Sequence, residues 1–165
     1  MFKNLFKSKE KEPKKITIVA PITGEIIPLE DVPDPVFSQK MMGEGVAVMP
    51  SEGEVVSPVD GEIIQVFPTK HAIGILAEND AEILIHIGLD TVNLDGEGFT
   101  AHVKDGDKVK VGDKLMSFDI ATIEEKAPSS ITPIIISNTD DVREVKSIEV
   151  TKVIAGENEI LQVIN

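Results

Sequence analysis

The residues of this chain best suited to do chemistry are two histidines, His71 and His86. There is no Cys, which excludes thiol nucleophiles, thiolate zinc sites, Fe–S clusters and disulfides. A third histidine, His102, has no titratable partner nearby in sequence and reads as structural or surface. Residues 71–77 and 81–87 form the two arms of a candidate hairpin turning through Glu78-Asn79-Asp80-Ala81, where Asn79 and Asp80 both tolerate left-handed backbone. With a two-residue loop (79–80) or a four-residue loop (78–81), facing positions sum to 159. His86 then opposes Ile73 and His71 opposes Gly88. Strand side chains alternate, so both imidazoles project from one face as diagonal neighbours, about 7–8 Å apart at the backbone. A three-residue loop would put them on opposite faces.

Two imidazoles converging on one site have few uses. They could ligate zinc, but two ligands from one short hairpin leave the site open, and the sequence places no third ligand. Zinc there would be adventitious. They could instead act as nucleophile and partner, one ring nitrogen attacking phosphorus while the other ring donates to the phosphoryl oxygens. Thr69, two residues before His71, offers a hydroxyl donor. Gly88, lacking a side chain, lets a second molecule approach closely.

The elements that must position these groups are strands. Val and Ile together number 40 against 8 Leu, a ratio suited to pleated sheet and not to a helix bundle. Short apolar runs separated by Gly, Pro, Asp and Asn predict strands at 16–20, 24–29, 46–49, 54–57, 61–67, 72–77, 81–87, 107–111, 114–118, 131–137, 145–150 and 159–164. One helical turn is expected at 38–42 and another at 120–126. Ala20-Pro21-Ile22-Thr23-Gly24-Glu25-Ile26 echoes Ser57-Pro58-Val59-Asp60-Gly61-Glu62-Ile63, each a Pro-initiated turn feeding a strand. The stretch from Gly106 to Leu115 has two Gly-Asp corners. The expectation is an all-β antiparallel sandwich, a barrel-sandwich hybrid built on a duplicated motif, with very little helix.

Charge bounds the partners. The chain of 165 residues carries a net −13, but residues 1–15 hold six Lys and two Glu. That divides it into a flexible basic segment, 1–15, and an acidic domain, 16–165. Such a body repels phosphate backbones, and with neither Trp nor Tyr it lacks good stacking platforms, so nucleic acid is not an expected partner. Phe2, Leu5 and Phe6 beside Lys3 and Lys7 would make a short amphipathic turn able to touch an anionic membrane; a solvated lead peptide is the simpler reading. No run is long enough to span a bilayer or act as a secretory signal, so a cytoplasmic protein is expected, as a monomer.

The run Ile83-Leu84-Ile85-His86-Ile87-Gly88-Leu89-Asp90-Thr91-Val92 resembles the phosphorylation-site motif of the glucose-family IIA components of the bacterial phosphoenolpyruvate:sugar phosphotransferase system. The blocks 31–38, 57–61, 69–72, 96–99 and 132–138 resemble the same family in order; Pro35 and Asp80 are departures. The resemblance implies that His86 accepts a phosphoryl group on Nε2 from the carrier HPr and passes it to a Cys of a sugar-specific IIB domain. His71 would be the supporting imidazole, Thr69 a hydrogen-bond donor near the phosphoryl group, and the Gly88 carbonyl the partner of His86 Nδ1–H. Asp34 and Asp90 would flank the site, and Val36, Phe37, Met41, Met42 and Phe67 would form an apolar rim docking HPr. No cofactor would be required beyond the transient phosphoryl group. Regulatory targets that read the phosphorylation state are a further expectation. A competing reading is an acyl-carrier domain of the biotinyl or lipoyl type, suggested by the Gly106–Leu115 pattern. It needs a Lys at a hairpin tip, and Lys114 is the nearest candidate.

Overall fold

The computed structural model describes residues 13–165; the amphipathic pattern at Phe2, Leu5 and Phe6 lies outside them. In chain order the strands are β1 Lys15–Val19, β2 Gly24–Pro28, β3 Glu44–Pro50, β4 Glu54–Val56, β5 Gly61–Val66, β6 Ala72–Ala77, β7 Glu82–His86, β8 Phe99–Ala101, β9 Lys108–Val109, β10 Lys114–Phe118, β11 Thr132–Ile136, β12 Glu144–Ser147, β13 Lys152–Val153 and β14 Glu159–Ile164. The helices are α1 Pro35–Ser38 and α2 Ile120–Lys126. An eight-stranded sheet runs β13-β2-β3-β11-β7-β6-β5-β9, and two three-stranded sheets, β1-β14-β12 and β4-β10-β8, complete the layers. The pairings between these strands are antiparallel.

The β-branched composition finds its use in the core. Ile83, Ile85, Ile134 and Ile136 of the large sheet pack with Ile18, Ile160 and Leu161 of one small sheet and Val55, Leu115 and Met116 of the other. Each such side chain contributes about 1.5–3 kcal/mol of burial. The central strand β11 is buried along its whole length. Its Ile135 points the other way, into a second cluster with Ala47, Ala72, Leu84, Leu29, Val32 and Phe37. That face carries His86, and it is covered by the connection between β2 and β3.

The sequence echo is a structural duplication. Val19 N–H donates to the Pro58 carbonyl (3.1 Å), and Val56 N–H donates to the Pro21 carbonyl (2.8 Å), so the two turns bond each other reciprocally. Gly156 N–H reaches the Ala20 carbonyl as Gly112 N–H reaches that of Ser57. β13 pairs β2 at Gly24↔Val153 as β9 pairs β5 at Gly61↔Val109. A Cβ on Gly24 would meet the Met49 carbonyl oxygen at 2.1 Å, and one on Gly61 that of Leu76 at 2.3 Å, so close strand approach demands glycine twice.

Three sequence expectations change. The β6–β7 hairpin pairs Ala72↔His86, Ile73↔Ile85 and Ile75↔Ile83, so facing positions sum to one less than expected. The Ala77–Ala81 hydrogen bond closes a three-residue loop, 78–80, because Asp80 alone takes the left-handed conformation (φ 69°). Asn79 is instead buried, its amide donating to the Lys14 and Val163 carbonyls. The first helical turn lies at Pro35–Ser38, not 38–42: Asp34 caps it, accepting from Val36 N–H at 3.0 Å, and Pro35 stands where a helix needs no N–H. β8 and β13 were not anticipated.

Candidate functional site

His86 is the last residue of β7 and shares a face with Leu84, while Ile83 and Ile85 point into the main core. Its Nδ1 lies 2.8 Å from the Gly88 carbonyl. A carbonyl can only accept, so Nδ1 carries the proton and Nε2 keeps its lone pair. Gly88 makes this possible at φ +77°; a Cβ there would meet Thr91 Cγ2 at 2.6 Å and the Ser129 oxygen at 3.0 Å.

His71 reaches the same place by a different route from the expected one. In the observed register, strand alternation would separate it from His86. His71 instead precedes β6, directly after Lys70, which is left-handed at φ 61°. The turn closes through Lys70 N–H to the Phe67 carbonyl (2.7 Å) and Phe67 N–H to the Ala72 carbonyl (3.1 Å). It turns His71 out of the alternation. The rings of His71 and His86 sit 4.9 Å apart at 81°, edge to face. Thr69 Oγ1 is 2.6 Å from His71 Nδ1. Phe37 flanks His86 at 5.0 Å and Phe67 flanks His71 at 5.6 Å.

This setting disfavours the charged form of both rings. Burial, and secondarily the charge of His86, lowers the His71 pKa from 6.5 to about 4. His86 is also lowered by burial, opposed by its bond to Gly88 and by the negative charges of Asp34 and Asp90. Asp34 caps α1, and Asp90, left-handed at φ 56°, opens the turn Thr91–Leu94. Both acids thus act on His86 through their charge, from separate loops.

On the connection between β2 and β3, Met41 (70%), Val36 (39%) and Met42 (38%) are exposed apolar side chains. Phe37 departs from the expected rim: it is 4% exposed and walls His86 from within the second cluster. Phe67 is partly buried against the same cluster. The sequence reading passed over Val92, 47% exposed on the turn after Asp90, and Ser129, whose carbonyl accepts from Leu89 N–H at 3.0 Å. Val92 is the last residue of the motif run 83–92, without a docking role assigned to it there; nothing local marks Ser129.

Elsewhere, exposed His102 pairs through Nε2 with Ser117 Oγ at 2.7 Å. Lys114 begins β10, pairs with Val56 and makes an ion pair with Glu54 at 3.1 Å, so it does not stand at a free hairpin tip. Among the described residues, no group of three or more His, Asp or Glu is arranged to hold a metal ion. None of the described helices is long and apolar enough to cross a membrane.

Residues 16–142 match the family model described as phosphoenolpyruvate-dependent sugar phosphotransferase system, EIIA 1. The chain is 84% identical over 165 residues, all of both chains, to the "PTS system glucose-specific EIIA component" of Oceanobacillus iheyensis. It is 56% identical over 163 residues to the Bacillus cereus protein of the same name, covering 99% of this chain and 98% of that one. Its fold superposes on the glucose permease IIA of Mycoplasma capricolum with a TM-score of 0.81 at 39% identity, covering 90% of this chain and 96% of the other.

Proposed function

The chain belongs to the EIIA 1 family of the phosphoenolpyruvate-dependent sugar phosphotransferase system, and from that premise we propose that it is a phosphohistidine carrier whose acceptor atom is His86 Nε2. The single observation that carries this reading is the 2.8 Å contact between His86 Nδ1 and the Gly88 carbonyl, which leaves Nε2 as a lone-pair nucleophile.

In the accepting step, the Nε2 lone pair attacks the phosphorus of the phosphohistidine on HPr. The new N–P bond forms as the donor's P–N bond breaks, and that electron pair returns to the donor ring. Phosphorylated His86 is a cation at the ring, and its Nδ1–H strengthens toward Gly88. In the donating step, a thiolate of the IIB domain attacks the same phosphorus and the Nε2 electron pair is restored. Burial shifts the His86 pKa downward, which favours the uncharged ring whose Nε2 can attack. His71, uncharged with Nδ1 accepting from the Thr69 hydroxyl, donates Nε2–H to the phosphoryl oxygens. No cofactor takes part.

The exposed Val36, Met41, Met42 and Val92 suit a shallow docking surface, and the acidic body suits a basic donor steered by charge. The relatives' names support glucose as the sugar of the partner permease, and a cytoplasmic site of action follows from the same role. The test is transfer of label from phosphoenolpyruvate through the general enzyme and HPr. Wild type should acquire an acid-labile, base-stable label, His86→Ala none, and His71→Ala label that is not passed on. An unlabelled wild type overturns the reading.

A further inference from the structure

We propose that Thr91 is a positioning residue for this phosphoryl transfer, its hydroxyl fixing the loop that aims the Gly88 carbonyl at His86 Nδ1. The inference rests on the carrier reading above and adds a residue to it.

Three bonds hold the loop that follows β7. Ile87 N–H donates to the His71 carbonyl at 2.7 Å. Thr91 Oγ1 donates to the Ile87 carbonyl at 2.5 Å. Leu89 N–H donates to the Ser129 carbonyl at 3.0 Å. The peptide between Gly88 and Leu89 is therefore held by Ser129 at its N–H end, and its carbonyl end receives His86 Nδ1–H. Its neighbour, the peptide between Ile87 and Gly88, is held by Thr91. Of these three bonds the Thr91 one is made by a side chain, so it can be removed without changing the backbone.

Thr91 is completely buried. Its methyl group lies against the open face of Gly88, where a Cβ would approach to 2.6 Å. The methyl only fills that space; it is the hydroxyl that holds the Ile87 carbonyl beside Gly88. Released from the hydroxyl, the Ile87 peptide is free to rotate, and the Gly88 carbonyl loses its aim. An imidazole without that acceptor can carry its proton on Nε2, where the lone pair needed for attack is lost.

The experiment compares wild type with Thr91→Val, which keeps the shape and removes the hydroxyl, and Thr91→Ser, which keeps the hydroxyl and removes the methyl. Imidazole ¹⁵N spectra report which nitrogen of His86 is protonated, and stopped-flow mixing with phospho-HPr reports the rate of acceptance. Thr91→Val should shift His86 toward the Nε2–H form and slow acceptance by about tenfold, the scale of one hydrogen bond; Thr91→Ser should retain both wild-type values. Thr91→Ala gives the same reading where the valine variant does not fold. A hydroxyl-free variant with the wild-type tautomer and rate overturns the inference, as does a serine variant impaired as much as the valine one. The tautomer is read without any phosphotransfer, so failure of wild type to accept label at all would sink the carrier reading instead.

Discussion

His71 and His86 each commit Nδ1 to a partner two residues away, Thr69 Oγ1 at 2.6 Å and the Gly88 carbonyl at 2.8 Å, so two Nε2 atoms are left for one site. The partners lie on opposite sides in sequence: Thr69 precedes its histidine, and Gly88 follows. A carbonyl and a hydroxyl make different demands. Gly88 forces a proton onto His86 Nδ1, whereas Thr69 can give its own proton to His71 Nδ1. In the proposed roles, the same side chain thus serves once as nucleophile and once as donor.

The first prediction concerns pH. His71 has its pKa lowered from 6.5 to about 4. Between those values the unfolded chain binds a proton that the folded chain refuses, so stability is full above pH 6.5 and is lost as pH falls toward 4. Burial lowers His86 in the same direction. Urea midpoints measured from pH 7 to pH 4 should fall, and His71→Gln should remove on the order of 2 kcal/mol of that fall. Identical pH profiles for the two proteins would refute this.

Gly88→Ala should be severe. The new Cβ would stand 2.6 Å from Thr91 Cγ2 and 3.0 Å from the Ser129 oxygen, at a φ of +77°. Left-handed strain alone costs about 1–2 kcal/mol, before the clash is added. Chemical denaturation should show a loss of at least about 2 kcal/mol, and the folded fraction should accept phosphoryl groups slowly. A variant as stable and as fast as wild type would mean that the loop is not constrained as described.

Asp34→Asn separates charge from capping. Asparagine can still accept from Val36 N–H, so α1 should persist. The negative charge of Asp34 raises the His86 pKa against the larger effect of burial. Removing it should lower that pKa further, read from the His86 ring protons in an NMR titration. Association with HPr should also lose part of its salt dependence. An unchanged titration would show that Asp34 does not act on His86 electrostatically.

Lys40 anchors the connection that carries Asp34 and Phe37, bridging Glu30 and Glu44 at 3.2 Å each. These pairs are partly exposed, so Lys40→Met should cost only about 0.5–1 kcal/mol at low salt. The difference should shrink by half or more in 1 M NaCl. A large, salt-independent loss would point to packing by the lysine stem instead.

Much of this site was legible from residue types. The His86-to-Thr91 run, the Thr69-Lys70-His71 turn and the echo between 20–26 and 57–63 all mark features that the fold uses. The hairpin register was not legible, because Asn79 and Asp80 are chemically interchangeable as left-handed residues. Burial of the Asn79 amide against Lys14 and Val163, a long-range matter, decides that Asp80 turns. The two histidines meet in spite of that register, through Lys70. The resemblance puts Phe37 on the rim together with Val36 and Met41; α1, opened by Asp34-Pro35, turns it inward while they stay exposed. The second half of the duplication was hidden as well: β13 repeats β9 in its pairing, yet Thr151-Lys152-Val153 lacks the Gly-Asp corner that announced Lys108–Val109.

The most direct test of the central claim is the position of the phosphoryl group itself. Protein labelled with ¹⁵N in its histidine rings, phosphorylated through HPr and observed by ¹⁵N and ³¹P NMR, should show phosphorus bonded to His86 Nε2 while His86 Nδ1 keeps its proton. Phosphorus on His86 Nδ1, or on either nitrogen of His71, would contradict the roles that the Gly88 carbonyl and the Thr69 hydroxyl assign.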